Sequence, residues 1–342
     1  MGARHAYWDV VSRAGGSPGA PRRGVRHAAS ALELADATAR ACRTHAPNAC
    51  GYDHPLMPAA AERGETHSVR LLAHPDRWVF YLSNAQATRL VVFVHGFLGS
   101  AVGTWEEFAE SGTMRPWWRD SDMLFVGYRS LKDTITGVSY RLRRELRNFF
   151  PTPPPQLLNA DGVDGGRDLG VPYSDLVLVG HSLGGVIIRR ALCDEAQQWL
   201  EDLQSDPNLA PPPILSATTR LFSPASAGFR PAGVAGMARA SPFWPVFEIL
   251  LRRSPAYTDC LQDSKYLEDT RSRTEGLVSR GGAKVDALRA WIAWANPDNV
   301  VLAERYNSDR VDVSVDNTSH MSVCKPRQGY DVPRTFVESG GI

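Results

Sequence analysis

The 342-residue chain is predicted to be an α/β protein with a mostly parallel central sheet flanked by helices. Two observations predict it. Short apolar runs rich in β-branched residues (90–94, 123–126, 176–179, 219–222, 300–302 and 311–315) recur along the chain. Helical stretches at 136–149, 185–203 and 284–295 separate several of them, and strands alternating with helices build parallel sheets. No internal repeat is visible.

In chain order, residues 1–65 mix Gly, Pro, Arg and Ala, with one helical pattern at 28–43, and are read as an N-terminal extension to a domain spanning 66–342. The sheet is expected to begin near His67, where 69–72 and 78–82 flank a His-Pro-Asp-Arg turn and read as a hairpin. Two insertions interrupt the alternation, a Pro- and Gly-rich loop at 151–172 and a long segment at 224–282. Within the second, the aromatic, Pro-bounded stretch 241–251 is a candidate lid, or else simply packs on the sheet.

Lysine plus arginine (38) nearly balance aspartate plus glutamate (37), so charge gives no reason to expect a nucleic acid or an anionic membrane surface. No apolar run reaches the roughly 18 residues a membrane span needs, and residues 1–9 lack a secretory pattern, so a soluble, cytoplasmic protein is expected. The five cysteines are scattered and never spaced Cys-x-x-Cys, which suits a reducing compartment and no zinc site. Cys42 and Cys50 alone are close enough in sequence to suggest a pair.

The chemistry is concentrated in Gly180-His181-Ser182-Leu183-Gly184, where an apolar strand runs through a Gly-x-Ser-x-Gly turn into an apolar helical stretch. Such a turn holds serine in a strained conformation at the carboxyl end of a strand, and small residues let strand and helix cross closely. Ser182 is therefore the candidate nucleophile. Upstream, the buried-type strand 90–94 ends in His95-Gly96-Phe97-Leu98. A tetrahedral intermediate needs two preorganised N–H donors for its oxyanion, and the amides of Phe97 and Leu183 are assigned to them, with Leu98 as the alternative first donor. His95 is read as shaping the loop.

For a nucleophile on such an elbow the chain order is serine, acid, histidine, and His320 is the one histidine beyond Ser182. It lies in a polar loop after the run 311–315 and is the expected base. The acid is expected after the preceding strand, where Glu304 follows 300–302; Asp309 and Asp312 are the rivals. No metal or organic cofactor is called for.

Three blocks (91–100, 180–186 and 319–326) resemble the lipase-like α/β hydrolases. The nearest branches are the GPI inositol-deacylase family and the serine-active-site-containing proteins linked to phospholipid remodelling, which carry a similar His-x-x-x-Cys-Lys-Pro loop. Residues 254–267 are similar to the segment after the sixth strand in these families. The resemblance implies the α/β-hydrolase fold, with 224–282 as a lid insertion after the sixth strand, and supports Glu304 and His320 in their roles. It also implies a serine esterase or lipase-like enzyme acting on a small-molecule or lipid ester, with peripheral lipid contact. An acyltransferase with the same triad, or a non-catalytic binding protein on the same fold, are the alternatives.

Overall fold

The computed structural model describes residues 58–63, 67–72, 76–108, 115–158, 168, 170–230 and 254–341. Among the described residues nine strands form one sheet: β1 (Pro58–Arg63), β2 (His67–Leu72), β3 (Val79–Ser83), β4 (Arg89–Val94), β5 (Ser121–Val126), β6 (Asp175–His181), β7 (Thr218–Phe222), β8 (Trp291–Asn296) and β9 (Val311–Asp316). Their spatial order is β1-β2-β3-β5-β4-β6-β7-β8-β9. From β5 to β9 every pairing is parallel, while β1, β2 and β3 add antiparallel at the other side. The hairpin is thus present as expected, but the sheet starts at Pro58, ahead of His67.

Parallel strands covered on both faces must be apolar on both, and β4 is buried from Leu90 to Val94. Its side chains alternate between two cores. Leu90, Val92 and Val94 join Phe80, Leu124, Leu142, Ile187 and Leu221 on one face. Val91 and Phe93 join Trp105, Trp117, Trp118, Phe222 and Phe336 on the other.

Among the described residues four longer helices cover these faces: α1 (Ile135–Leu146), α2 (Leu183–Asp202), α3 (Lys265–Gly281) and α4 (Val332–Ser339). Ile135, Val138, Leu142 and Leu146 give α1 a single apolar stripe, and the Thr134 hydroxyl caps it by accepting from the Gly137 N–H at 3.0 Å. Under α2, the buried Arg189 guanidinium forks onto Asp309 at 3.0 and 2.7 Å. Asp309 also accepts from the backbone N–H groups of Tyr306 and Ala290.

Two expectations are corrected near the C-terminal end of the sheet. The helix expected over 284–295 is instead a 3-10 segment (Gly282–Leu288) followed by β8, which pairs with both β7 and β9. The run 300–302 is not a sheet strand: Val301 bridges Phe229, with Arg230 N–H to Val300 O at 2.7 Å and Leu302 N–H to Gly228 O at 3.1 Å. The helical pattern at 28–43, Cys42, Cys50 and the stretch 241–251 lie outside the described residues. Cys193, Cys260 and Cys324 are buried free thiols. Among the described residues no helix is long and apolar enough to cross a membrane.

Candidate active site

Ser182 stands between β6 and α2 at φ 53° and ψ −119°, a conformation that strains any residue with a Cβ. Hydrogen bonds hold it there. Its N–H donates to Phe222 O at 3.0 Å, and its carbonyl accepts from Gly185 and Ala225 at 3.1 and 3.2 Å. A Cβ on Gly180 would lie 2.8 Å from Gly185 N, and one on Gly184 only 2.1 Å from Val94 O, so glycine is what lets elbow, helix and β4 meet.

His320 comes from the loop after β9, turned by Asn317 at φ 58° and by the Thr318 hydroxyl donating to Val315 O at 2.7 Å. Its Nε2 lies 2.9 Å from Ser182 Oγ and its Nδ1 lies 2.9 Å from Asp298 Oδ2. The consistent proton assignment has Nδ1–H donating to the carboxylate and Nε2 accepting from the serine hydroxyl.

The carboxylate at His320 is therefore Asp298, and Glu304 is not there. The Glu304 side chain is 56% exposed and pairs with Arg271, whereas that of Asp298 is 2% exposed. Of the two rivals, Asp309 is locked to Arg189 and Asp312 pairs with Arg305 at 3.2 Å. Asp298 follows β8 by two residues, in Asn296-Pro297-Asp298, and this loop was hidden because β8 reads as helix in the sequence. Proline ending a short aromatic and β-branched run is the signal that locates it.

Burial alone would raise the Asp298 carboxyl. The hydrogen bond and charge of His320, with the Val301 and Val300 N–H groups on Oδ1 at 3.1 and 2.9 Å, outweigh that and hold it below the usual carboxylate value.

The second loop brought to the serine is His95-Gly96-Phe97-Leu98. The buried His95 ring stacks on Tyr128 with centroids 4.1 Å apart, and its Nδ1–H donates to Gly96 O at 2.8 Å. Tyr128 OH donates to His95 O at 2.7 Å. Burial pushes His95 down to about 4, so it stays neutral. A Cβ on Gly96 would stand 3.0 Å from Ser182 Cβ, which sets how near the loop runs to the nucleophile. Leu98 N–H is already donated to Ser130 Oγ at 3.0 Å, which removes it as a donor. Among the described residues no protein acceptor takes the N–H of Phe97 or of Leu183. Trp105, Trp117 and Trp118 are core residues.

The arrangement is a hydrogen-bonded serine, imidazole and carboxylate, a set whose chemistry suits acyl transfer through a covalent intermediate. Among the described residues no group of three or more His, Cys, Asp or Glu side chains is placed to hold a metal ion.

A profile described as the alpha/beta hydrolase family matches residues 91–341. Among curated proteins no sequence matches this chain. Similar solved structures include esterase B from Lactobacillus rhamnosis, with 13% identity, a TM-score of 0.43, and 91% of this chain and 94% of that one covered. Est1E from Butyrivibrio proteoclasticus has 16% identity, a TM-score of 0.38 and coverage of 80% and 97%. The Bacillus licheniformis lipase BlEst2 in propeptide form has 14% identity and a TM-score of 0.42, with 78% of this chain covered. The chain spans about half the length of that lipase (54%).

Proposed function

The chain belongs to the alpha/beta hydrolase family and has its fold, and on that premise we propose that it is a serine hydrolase cleaving a carboxylic ester through a Ser182 acyl-enzyme. The observation that carries the reading is His320 set between Ser182 Oγ and Asp298 Oδ2, 2.9 Å from each. His320 Nε2 takes the Ser182 proton as Oγ bonds to the acyl carbon. The Asp298 carboxylate stabilises the imidazolium, and the Phe97 and Leu183 N–H groups hold the oxyanion. As the tetrahedral intermediate collapses, the bond to the alcohol oxygen breaks and Nε2–H gives its proton to that oxygen. Water, deprotonated by the same Nε2, then bonds to the acyl carbon, and as the acyl–Oγ bond breaks Nε2–H returns its proton to Oγ and the acid leaves.

The acyl group proposed is apolar, in keeping with two exposed apolar side chains that adjoin site residues in the sequence. Leu98 and Met321, each next to a site residue, are 50% and 46% exposed despite their apolar side chains. The choice of ester over amide follows the resemblance to lipase-like enzymes.

A fluorophosphonate probe tests the reading. Wild type is expected to be labelled, with labelling abolished in Ser182→Ala and slowed at least tenfold or so in His320→Ala. A chain-length series of p-nitrophenyl esters then sizes the acyl site. Wild-type rates of ester hydrolysis in Ser182→Ala would refute the assignment.

A further inference from the structure

In the turn Gly180-His181-Ser182 the hydrolysis proposed above uses Ser182, and the buried imidazole beside it has no part. His181 Nε2–H donates to the backbone carbonyl of His320 at 2.7 Å, and the two ring centroids are 4.9 Å apart. On its other side the ring lies against Gly96, where a Cβ would come within 2.8 Å of Nδ1 and 3.3 Å of Cε1. One side chain of the elbow thus touches both loops brought to the serine.

The two loops differ in how the sheet holds them. β4 is hydrogen-bonded directly to β6, so the Gly96 loop starts in register with the elbow. β9 is separated from β6 by β7 and β8, and the loop that carries His320 bonds mainly to itself, through Thr318 to Val315 and between Ser319 and Ser322. The His320 ring also loses and regains its serine hydrogen bond with every proton it moves. A bond to its backbone carbonyl is independent of that cycle. Burial, then the neighbouring His320, push His181 down to about 3, so it remains a neutral donor.

We infer that His181 is a positioning residue: by fixing the His320 backbone against the elbow and packing on Gly96, it sets the reach of His320 Nε2 to Ser182 Oγ. The inference rests on the Ser182 hydrolysis reading.

The test uses the full chain as wild type, His181→Phe, which keeps a ring without the donor, and His181→Gln, whose amide donates from a similar reach. Turnover of p-nitrophenyl butyrate, fluorophosphonate labelling and Tm are measured for each. In the phenylalanine variant kcat is expected to fall roughly 10- to 100-fold, because reacting groups displaced by about 1 Å lose that much, with KM within about twofold. The glutamine variant is expected to recover to within about threefold of wild type. If His181→Phe does not fold, His181→Asn, whose shorter arm falls short of the carbonyl, takes its place with the same expected loss.

Wild-type kcat in the phenylalanine variant overturns the inference. So does a loss that tracks Tm and that glutamine does not rescue. A wild type inert to both probe and ester overturns instead the hydrolysis reading, and this inference with it.

Discussion

Both oxygens of Asp298 are occupied, one by His320 and the other by two backbone N–H groups. This division lets a single carboxylate orient the imidazole and remain ionised while buried. Asp298→Asn keeps the shape but presents an amide to Nδ1, which favours the wrong tautomer. Its kcat for a p-nitrophenyl ester is expected to fall on the order of 10³- to 10⁴-fold. Glu304→Gln, on the exposed Arg271 pair, is expected to stay within about twofold. Equal losses in both variants would return the acid to open competition. Ser182 was legible because its pentapeptide encodes a strand, a turn and a helix at once, and His320 because chain order leaves it without a rival. Asp298 itself sits in no motif, and its one signal is the proline that ends the run before it. An aspartate ahead of two valines reads as any turn, and it can be found only by first locating the strand it follows.

That strand was hidden by its own side chains. Trp291, Trp294 and Ala295 fall at helical spacing, and alanine between tryptophans favours the same reading, so β8 looks like the end of a helix. What overrides it is tertiary: β7 and β9 each offer a parallel edge, and the backbone groups of 291–296 are satisfied between them. The long runs of β4 and β6 had no such competitor and were legible to within a residue or two. At the same scale, α2 sits on the buried Arg189–Asp309 fork. Removing one partner leaves the other charge buried, so Arg189→Met is expected to lose about 3–5 kcal/mol of unfolding free energy in urea. A loss below about 1 kcal/mol would mean that water reaches Asp309.

For the molecule as a whole, buried histidines weight the response to acid: among the described residues His67, His95 and His181 are all held below the ordinary value, each chiefly by burial. His95 is held down to about 4 and His181 to about 3, chiefly by burial, against about 6.5 in an unfolded chain. Between pH 6.5 and 4 the unfolded chain therefore binds more protons than the folded one, and stability falls as the pH falls. The slope is expected to approach about 1.4 kcal/mol per pH unit for each histidine. Asp298 acts in another window: its folded value is lowered, so its contribution is intact above the ordinary carboxylate range and disappears only as the pH drops through the lowered value. Urea midpoints from pH 7 to pH 4.5 check this, and a flat profile would contradict it. β9, last in the order of the described strands, carries the exposed Asp312 and Asp316 and leads into the loop that holds His320. A terminal strand is a template on which another chain can add, and carboxylates along it oppose that addition. Charge on this edge, from Asp316 and the Asp312–Arg305 pair, is therefore expected to keep a foreign strand away from the segment that leads to His320.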